Sequence, residues 1–167
     1  MAGNSSMEHN KAETLTCTII AIDTTNNNLT YLVCSVCEKP LQNPLSLCTS
    51  CRRNALGPNS FASKRLFRFL MSIASDTRVF TVISFDRAAK ILFGCSADDF
   101  FNFAKIHPFA AANAGKILEG EMCRMTLSKP KNGNAQHLRV ASVVPLSSGF
   151  RPVIQSLNQL YGGSVPS

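Results

Sequence analysis

In the run LFRFLMSI (66–73), every second residue from Phe67 to Ile73 is large and apolar, and the positions between hold Leu66, Arg68, Leu70 and Ser72. A period of two is typical of a β-strand with one buried face. The residues predicted to point inward are Phe67, Phe69, Met71 and Ile73. A short turn at residues 76–78 follows, so VFTVISF (79–85) is interpreted as the returning strand of a hairpin.

Four further segments have the composition of strands. LTCTIIAID (15–23) is rich in β-branched residues and ends at the turn signal TTNNN, and LTYLVC (29–34) follows it. MCRMTLS (122–128) and HLRVASVVPL (137–146) are joined by KPKNGNAQ, where Asn132 and Gly133 are a strong hairpin signal. The chain therefore offers six candidate strands.

Helical periodicity is confined to the later parts of the chain. FDRAAKILFG (85–94) places its apolar residues on one side and ends at Gly94. Ser96, followed by Asp99 three residues later, predicts the start of a second short helix. Residues 106–121 fit either a loop or another helical turn. A C-terminal helix is predicted within residues 147–161, from apolar residues at helical spacing.

This order of elements predicts a mainly β protein. Strands followed by a helix and a closing hairpin approximate the OB-fold, a five-stranded Greek-key barrel. We expect a tail at residues 1–10, the barrel over residues 11–146, the C-terminal helix at 147–161 and a second tail at 162–167. Six candidate strands are one more than this barrel has. A cysteine-rich ribbon at about residues 34–58 interrupts the early strands and is interpreted as an elaboration of a barrel loop.

The ribbon contains two CxxC pairs separated by ten residues, in CSVCEKPLQNPLSLCTSC. Two such pairs supply four thiolates, which is the set that a closed, tetrahedral structural Zn²⁺ site requires. The predicted zinc ligands are Cys34, Cys37, Cys48 and Cys51. A site of this kind leaves no position for a reacting water, so its expected role is structural.

Disulfides are the rival interpretation of these cysteines. The chain has seven cysteines, an odd number, and the polar start MAGNSSMEHNKAE lacks the apolar core of a signal peptide. A reducing, intracellular compartment fits this pattern better, with no membrane segment expected. Cys17, Cys95 and Cys123 are interpreted as buried free thiols.

The net charge of +7 and the pI of about 9.3 favour an acidic partner, with nucleic acid as the leading candidate. Basic residues cluster over residues 52–87, and residues 122–167 contain five basic and no acidic side chains. This segregation favours one basic face. A basic domain without a polyanion partner stays open as the alternative.

Taken together, these segments resemble the C-terminal DNA-binding domain of the replication protein A large subunit. The cysteine quartet is followed by a basic loop, then by LFRFLMSIASD (66–76) and FTVISFDRAAKILFG (80–94). SKPKNGNAQHLRVASVVPL (128–146) is similar to the family's last hairpin, and FRPVIQSLNQL (150–160) to its C-terminal helix. The chain departs from the family in having no tryptophan, including near Thr81. It corresponds either to one domain of such a subunit or to a small stand-alone relative.

Binding of single-stranded nucleic acid requires cations along the phosphates and aromatic faces for the bases. The candidates are Arg52, Arg53, Phe61, Lys64, Arg65, Arg68, Phe80, Lys129, Lys131 and Arg139. Each cation taken alone fits a solvated surface charge equally well. The other phenylalanines, Phe85 among them, are assigned mostly to the core, and Tyr31 fits either role.

No catalytic motif is found in the sequence. It has no Walker loop, nucleophile elbow or glycine-rich dinucleotide turn, and helix capping explains the Asp98–Asp99 pair, so we expect no enzyme and no small-molecule substrate. The resemblance implies assembly with OB-fold partner subunits through the C-terminal helix. Its candidate contact residues are Val153, Ile154, Leu157, Leu160 and Tyr161.

The expected function is binding of single-stranded DNA in the nucleus, in replication, recombination, repair or telomere protection and within a complex. The alternative is an OB-fold module for protein interaction or assembly, with little intrinsic affinity for nucleic acid.

Overall fold

The computed structural model of the protein describes residues 12–25, 29–44, 48–51, 63–130 and 136–162. Within them the chain forms six strands and four helices. The strands are β1 (Glu13–Ile22), β2 (Thr30–Cys34), β3 (Ser63–Ala74), β4 (Val79–Phe85), β5 (Met122–Ser128) and β6 (Leu138–Pro145). The helices are α1 (Asp86–Phe93), α2 (Ala97–Ile106), α3 (Ala110–Leu118) and α4 (Val153–Leu160).

Five of the strands close into a barrel. The hydrogen-bonded order is β1-β5-β6-β4-β3, and β3 pairs back onto β1 to complete the circle. All of these pairings are antiparallel except that of β4 with β6, which is parallel. The closed five-stranded barrel confirms the predicted OB-fold class. The sixth strand, β2, lies outside the circle, on the free edge of β3.

A bulge in β1 makes this closure possible. The first part of β1 pairs with β5, and its last part pairs with β3, with a shift of register between Ile19 and Ala21. The extra residue bends the strand so that it can leave one neighbour and join the other. β1 thereby connects the two sides of the barrel.

The inward-facing residues of β3 are those that the alternation predicted. Phe67, Phe69, Met71 and Ile73 are all buried, whereas Arg68 between them is exposed. The ring centroid of Phe67 lies 4.7 Å from that of Phe93 on α1 and 6.0 Å from that of Phe100 on α2. These contacts show that the first two helices pack against the open end of the barrel core.

Helix α1 ends, and helix α2 begins, where the sequence predicts. Gly94 ends α1 in the left-handed conformation, with φ at 71° and its N–H donating to the Lys90 carbonyl. Ser96 caps α2, because its side-chain oxygen accepts a hydrogen bond from the N–H of Asp99 at 3.0 Å. The ambiguous segment at 106–121 contains a nine-residue helix, α3, whose buried face is formed mainly by alanines.

The C-terminal helix α4 starts later than residue 147. Residues 147–149 form a turn in which the Gly149 N–H donates to the Ser147 side chain, and the helix begins after Pro152. Val153 and Leu157 are fully buried and belong to the barrel core. The helix therefore packs on its own chain. Among the described helices, none is long and apolar enough to cross a membrane.

Candidate metal centre and nucleic-acid interface

The four cysteines of the ribbon converge at one point. Their sulfurs all lie within 4.8 Å of one another. The closest approaches join the two CxxC pairs: the sulfurs of Cys37 and Cys48 are 3.3 Å apart, and those of Cys34 and Cys51 are 3.6 Å apart. All four thiols are free, so the pairs are not disulfides. The geometry brings together the four residues that the spacing predicted.

A tight turn holds the first pair. The N–H of Glu38 donates to the Cys34 carbonyl, and the N–H of Cys34 donates to the Lys39 carbonyl, each at 2.9 Å. Glu38 adopts a positive φ of 63°, which folds the chain back after Cys37. The Val36 N–H points at the Cys34 sulfur from 3.4 Å. Backbone N–H groups of this kind stabilise a thiolate, as a metal ligand requires.

Three of the four thiols have shifted pKa values, two lowered and one raised. Hydrogen bonds from the backbone N–H groups of Cys37 and Val36 lower the pKa of the Cys34 thiol to about 6. The N–H of Cys51 likewise lowers the pKa of the Cys48 thiol. Contacts with the sulfurs of Cys37 and Cys34 raise the pKa of Cys51 to about 12. Crowded sulfurs cannot all ionise without a cation among them, so an all-sulfur set of four fits a thiophilic metal ion.

The ribbon is attached to the barrel through β2 and a salt bridge. Residues of β2 pair with β3 from Thr30 opposite Phe67 to Cys34 opposite Ser63. The Lys64 ammonium on β3 lies 2.8 Å from the Glu38 carboxylate in the cysteine turn. The four-cysteine cluster is therefore fixed at the start of β3, beside the barrel wall.

The outer surface of β3, β4 and β6 collects aromatic and basic side chains. The strand register places Arg68 on β3 opposite Phe85 on β4, and Arg139 on β6 beside Ile83. The Arg139 guanidinium lies 4.5 Å from the centroid of the Phe85 ring. Because residues opposite each other share a face, these three side chains lie on the same outer surface.

Tyr31 extends this surface onto β2, where it pairs with the outward-facing Leu66. Partial burial raises the pKa of its hydroxyl, while the nearby charges of Arg68 and Arg139 act in the opposite direction. We call the set Tyr31, Arg68, Phe85 and Arg139 the outer platform. It combines two rings with two guanidinium groups, which is the composition that binds bases and phosphates together.

Some of the sequence-predicted contact residues lie elsewhere. Lys64 is ion-paired with Glu38, and Arg65 points away from the platform, towards the Phe101 ring of α2 at 3.4 Å. Lys129 is exposed just after β5. Four predicted contacts lie outside the described residues: Arg52, Arg53, Phe61 and Lys131.

The two phenylalanines of β4 lie on opposite sides of the sheet, and the core position of Phe80 is one of the two that the sequence leaves open for it. Phe80 pairs with the inward-facing Ile73 and packs on the core, and the Arg78 guanidinium lies 4.2 Å from its ring centroid. Phe85, expected in the core, lies half-buried on the outer platform. The signal is in the strand itself, because Phe80 and Phe85 are an odd number of residues apart and must face opposite sides.

The predicted partner contacts on and next to helix α4 differ in their exposure. Val153 and Leu157 are buried in this chain, Ile154 is half-buried, and Leu160 is 61% exposed. Tyr161 stacks on the His107 ring, with centroids 4.2 Å apart, and its hydroxyl accepts a hydrogen bond from Asn113 at 2.8 Å. Of the predicted contacts, Leu160 is the most accessible to another molecule.

Comparison with known proteins supports the fold assignment. The chain matches a structure of yeast RPA bound to ssDNA with a TM-score of 0.64 and 18% sequence identity, over 96% of this chain and 89% of that one. It also matches a replication protein A heterotrimer bound to ssDNA, with a TM-score of 0.64 and 16% identity. That match covers 92% of this chain and about a third, 35%, of the other. At this level of identity the likeness shows a shared fold.

Neither a family model nor a curated protein matches the chain by sequence.

Proposed function

We propose that this protein binds single-stranded DNA on the outer platform and that a structural Zn²⁺ in the four-cysteine cluster fixes the edge of this surface. The observation that carries the proposal is the shared face of Tyr31, Arg68, Phe85 and Arg139. The outer face of these strands, with the neighbouring loops, is where OB barrels bind oligonucleotides.

The chemistry of the platform suits a single strand. Phe85 and Tyr31 supply ring faces on which bases stack without regard to sequence. Arg68 and Arg139 supply guanidinium groups that bind phosphates through paired N–H donors. Lys129 lies at the end of β5, in the loop that joins the last two strands, where further phosphate contacts are expected. Binding should therefore be strong at low salt and weakly dependent on sequence.

The cysteine cluster supports a structural metal. Cys34, Cys37, Cys48 and Cys51 would hold the ion with no position left for substrate, so the ion would supply rigidity rather than catalysis. The absence of catalytic motifs agrees with a binding protein rather than an enzyme.

The structural neighbours support a role in DNA metabolism. Both were solved with ssDNA, and one is a heterotrimer. We infer that this protein acts in the nucleus, in replication, recombination, repair or telomere protection. It would act there within a complex that docks on helix α4 through Leu160 and Ile154.

Exposed apolar residues favour a second candidate, an assembly module in which the barrel serves partner binding. Ile106 is 75% exposed and Phe109 is 72% exposed, both at the junction of α2 and α3. In this case the basic platform would contribute little affinity for nucleic acid.

Fluorescence anisotropy with labelled oligo-dT across a salt series separates the two functions. If the protein binds DNA, the logarithm of the association constant should fall linearly with the logarithm of the salt concentration. The slope should be about −0.7 for each phosphate contacted. Oligo-rU measured alongside reports the preference between DNA and RNA. No binding at low salt would exclude the first function and leave the second.

A further inference from the structure

We propose that Arg65 and Lys105, both held against the ring of Phe101, form a phosphate-binding subsite on helix α2, outside the outer platform. This cation pair would hold the backbone of a single strand that continues past the end of the barrel. The inference rests on the proposed DNA-binding function and adds to it a second, separate contact region.

The two cations converge on one ring. The Arg65 guanidinium carbon lies 3.4 Å from the Phe101 centroid, and the Lys105 ammonium lies 4.7 Å from it. Phe101 and Lys105 are four residues apart on α2 and therefore share a helix face. The two distances place the guanidinium carbon and the ammonium nitrogen at most about 8 Å apart, a span that two successive phosphates can cover.

The Arg65 side chain is held in place before any ligand binds. One guanidinium nitrogen donates to the Thr30 hydroxyl at 3.2 Å, and the ring of Phe101 covers the group. Partial desolvation lowers the pKa of Arg65, although its guanidinium stays charged at neutral pH. A guanidinium fixed in this way retains further N–H donors for a phosphate and loses little conformational freedom on binding.

The charge of the pair is only partly balanced within the protein, because Asp98 acts electrostatically on Arg65 without forming a salt bridge with it. Among the described residues, neither Arg65 nor Lys105 has a carboxylate oxygen within 4 Å, whereas the neighbouring Lys64 is ion-paired. Asp98 lies near Arg65, but its two oxygens accept the backbone N–H of Arg65, each at 3.3 Å. Two like charges close together repel each other, and an anion between them removes that repulsion.

The position of the pair suits a continuing strand rather than a base. The Phe101 ring already contacts two cations, so it serves to hold them rather than to stack on a base. Arg65 lies three residues before Arg68 on β3, a distance of about 10 Å along an extended strand. Because the two residues are an odd number of positions apart, their side chains face opposite sides of the sheet. A chain of nucleotides that leaves the platform would therefore turn around this end of β3 to reach the pair.

Oligonucleotide length and charge removal test the subsite together. Lys105→Ala and Arg65→Gln are compared with wild type by anisotropy on a series of oligo-dT lengths, each across a salt series. Lys116→Ala is the matched control, because Lys116 is also a basic residue in the last turn of a helix, α3. Thermal melts of each variant verify that it is folded.

We expect both variants to bind the shortest oligonucleotide as tightly as wild type. On longer ones each should lose about threefold to tenfold in affinity, with the salt slope reduced by about 0.7 for each phosphate that is no longer bound. The subsite is overturned if folded variants match Lys116→Ala at every length while wild type binds. If wild type binds no oligonucleotide, the proposed function and the subsite both fail. This result differs from the preceding one, in which wild type binds and only the subsite fails.

Discussion

Phe80 and Phe85 belong to the same strand and face opposite sides of the sheet. Phe80 packs on the barrel core, whereas Phe85 lies on the outer platform between Arg68 and Arg139. Two phenylalanines of one strand therefore have different roles, and the position of each in the strand decides whether it faces the core or the outer surface. This difference supplies a matched pair of substitutions.

Phe85→Leu should weaken binding of oligo-dT by about 1 kcal/mol, because it removes a stacking face while keeping an apolar side chain in the strand. The free energy of unfolding should change little. Phe80→Leu, the control, should lower the free energy of unfolding and leave affinity unchanged. Anisotropy and urea unfolding measure the two quantities, and equal reductions of affinity in both variants would contradict the assignment.

Gly94 allows a close approach between α1 and the segment before α4. A Cβ at this position would lie 2.3 Å from the Cβ of Pro152, and the residue has a φ of 71°. Gly120 has a similar φ of 89°, with no atom within 4 Å of a Cβ built there. The two glycines thus share a left-handed backbone but differ in the space around it.

Gly120→Ala should lower the free energy of unfolding by about 1 kcal/mol through strain alone. Gly94→Ala should cost about 1–3 kcal/mol more, since Pro152 must move. Urea unfolding of the two variants compares these costs. Equal reductions in the free energy of unfolding would show that the close approach to Pro152 does not contribute to the cost of Gly94→Ala.

At the scale of elements, the ribbon and β2 act as one unit with the edge of the barrel. β2 pairs with β3, carries Tyr31 and Cys34, and is tied to β3 again by the Lys64–Glu38 salt bridge. Loss of the metal should therefore disturb both the fold and the platform. Loss of stability and loss of the platform geometry are expected together, because β2 carries both a platform residue, Tyr31, and a cluster cysteine, Cys34.

A strong chelator should lower both the melting temperature and the affinity for oligo-dT. Metal content, measured before and after treatment, verifies removal. A Cys48→Ser variant lacks one ligand, so its melting temperature and affinity should already be lowered without chelator. The chelator should lower them little further. Unchanged binding after verified removal would separate the ribbon from DNA binding.

Local sequence patterns are sufficient to predict most helices and strands, but they do not predict which of these elements pack against each other. Alternation identifies β3, while composition and turn signals identify the other strands. Gly94 and Ser96 mark helix boundaries, and the CxxC spacing identifies the cysteine cluster. Helix α3 was ambiguous because its buried face is built from alanines, which give little contrast with polar positions. The direction of Arg65 depends on where α2 packs against β3, which no local pattern contains.

At the scale of the whole molecule, the seven thiols fall into two groups. Cys17 and Cys123 are buried opposite each other in the barrel, and Cys95 is half-buried. Burial raises the pKa of Cys17, and it raises the pKa of Cys95 and of Cys123 to about 12. The other four thiols form the four-cysteine cluster.

Alkylation of the native protein at neutral pH should therefore modify almost no cysteine while metal is bound. After chelation it should modify the cluster cysteines, beginning with Cys34 and Cys48, whose thiols have a lowered pKa. The three core thiols should stay unmodified because they are protonated and shielded by the barrel. Intact mass and peptide mapping give the number and position of the adducts. Rapid labelling of Cys123 in the folded, metal-bound protein would contradict this division.

The strand pairing of β1 also sets an order of events during synthesis. Thr14 on β1 bonds Thr126 on β5 across 112 positions of sequence, so the barrel cannot close until β5 has been made. All four metal ligands lie before β3 in the chain. At about 5–20 residues per second, the ribosome needs several seconds to advance from Cys51 to β5. If the four cysteines bind a metal ion, a nascent chain thus has time to bind it while β1 still has an open edge. The folded ribbon would then be the first ordered part of the chain, on which the barrel is assembled.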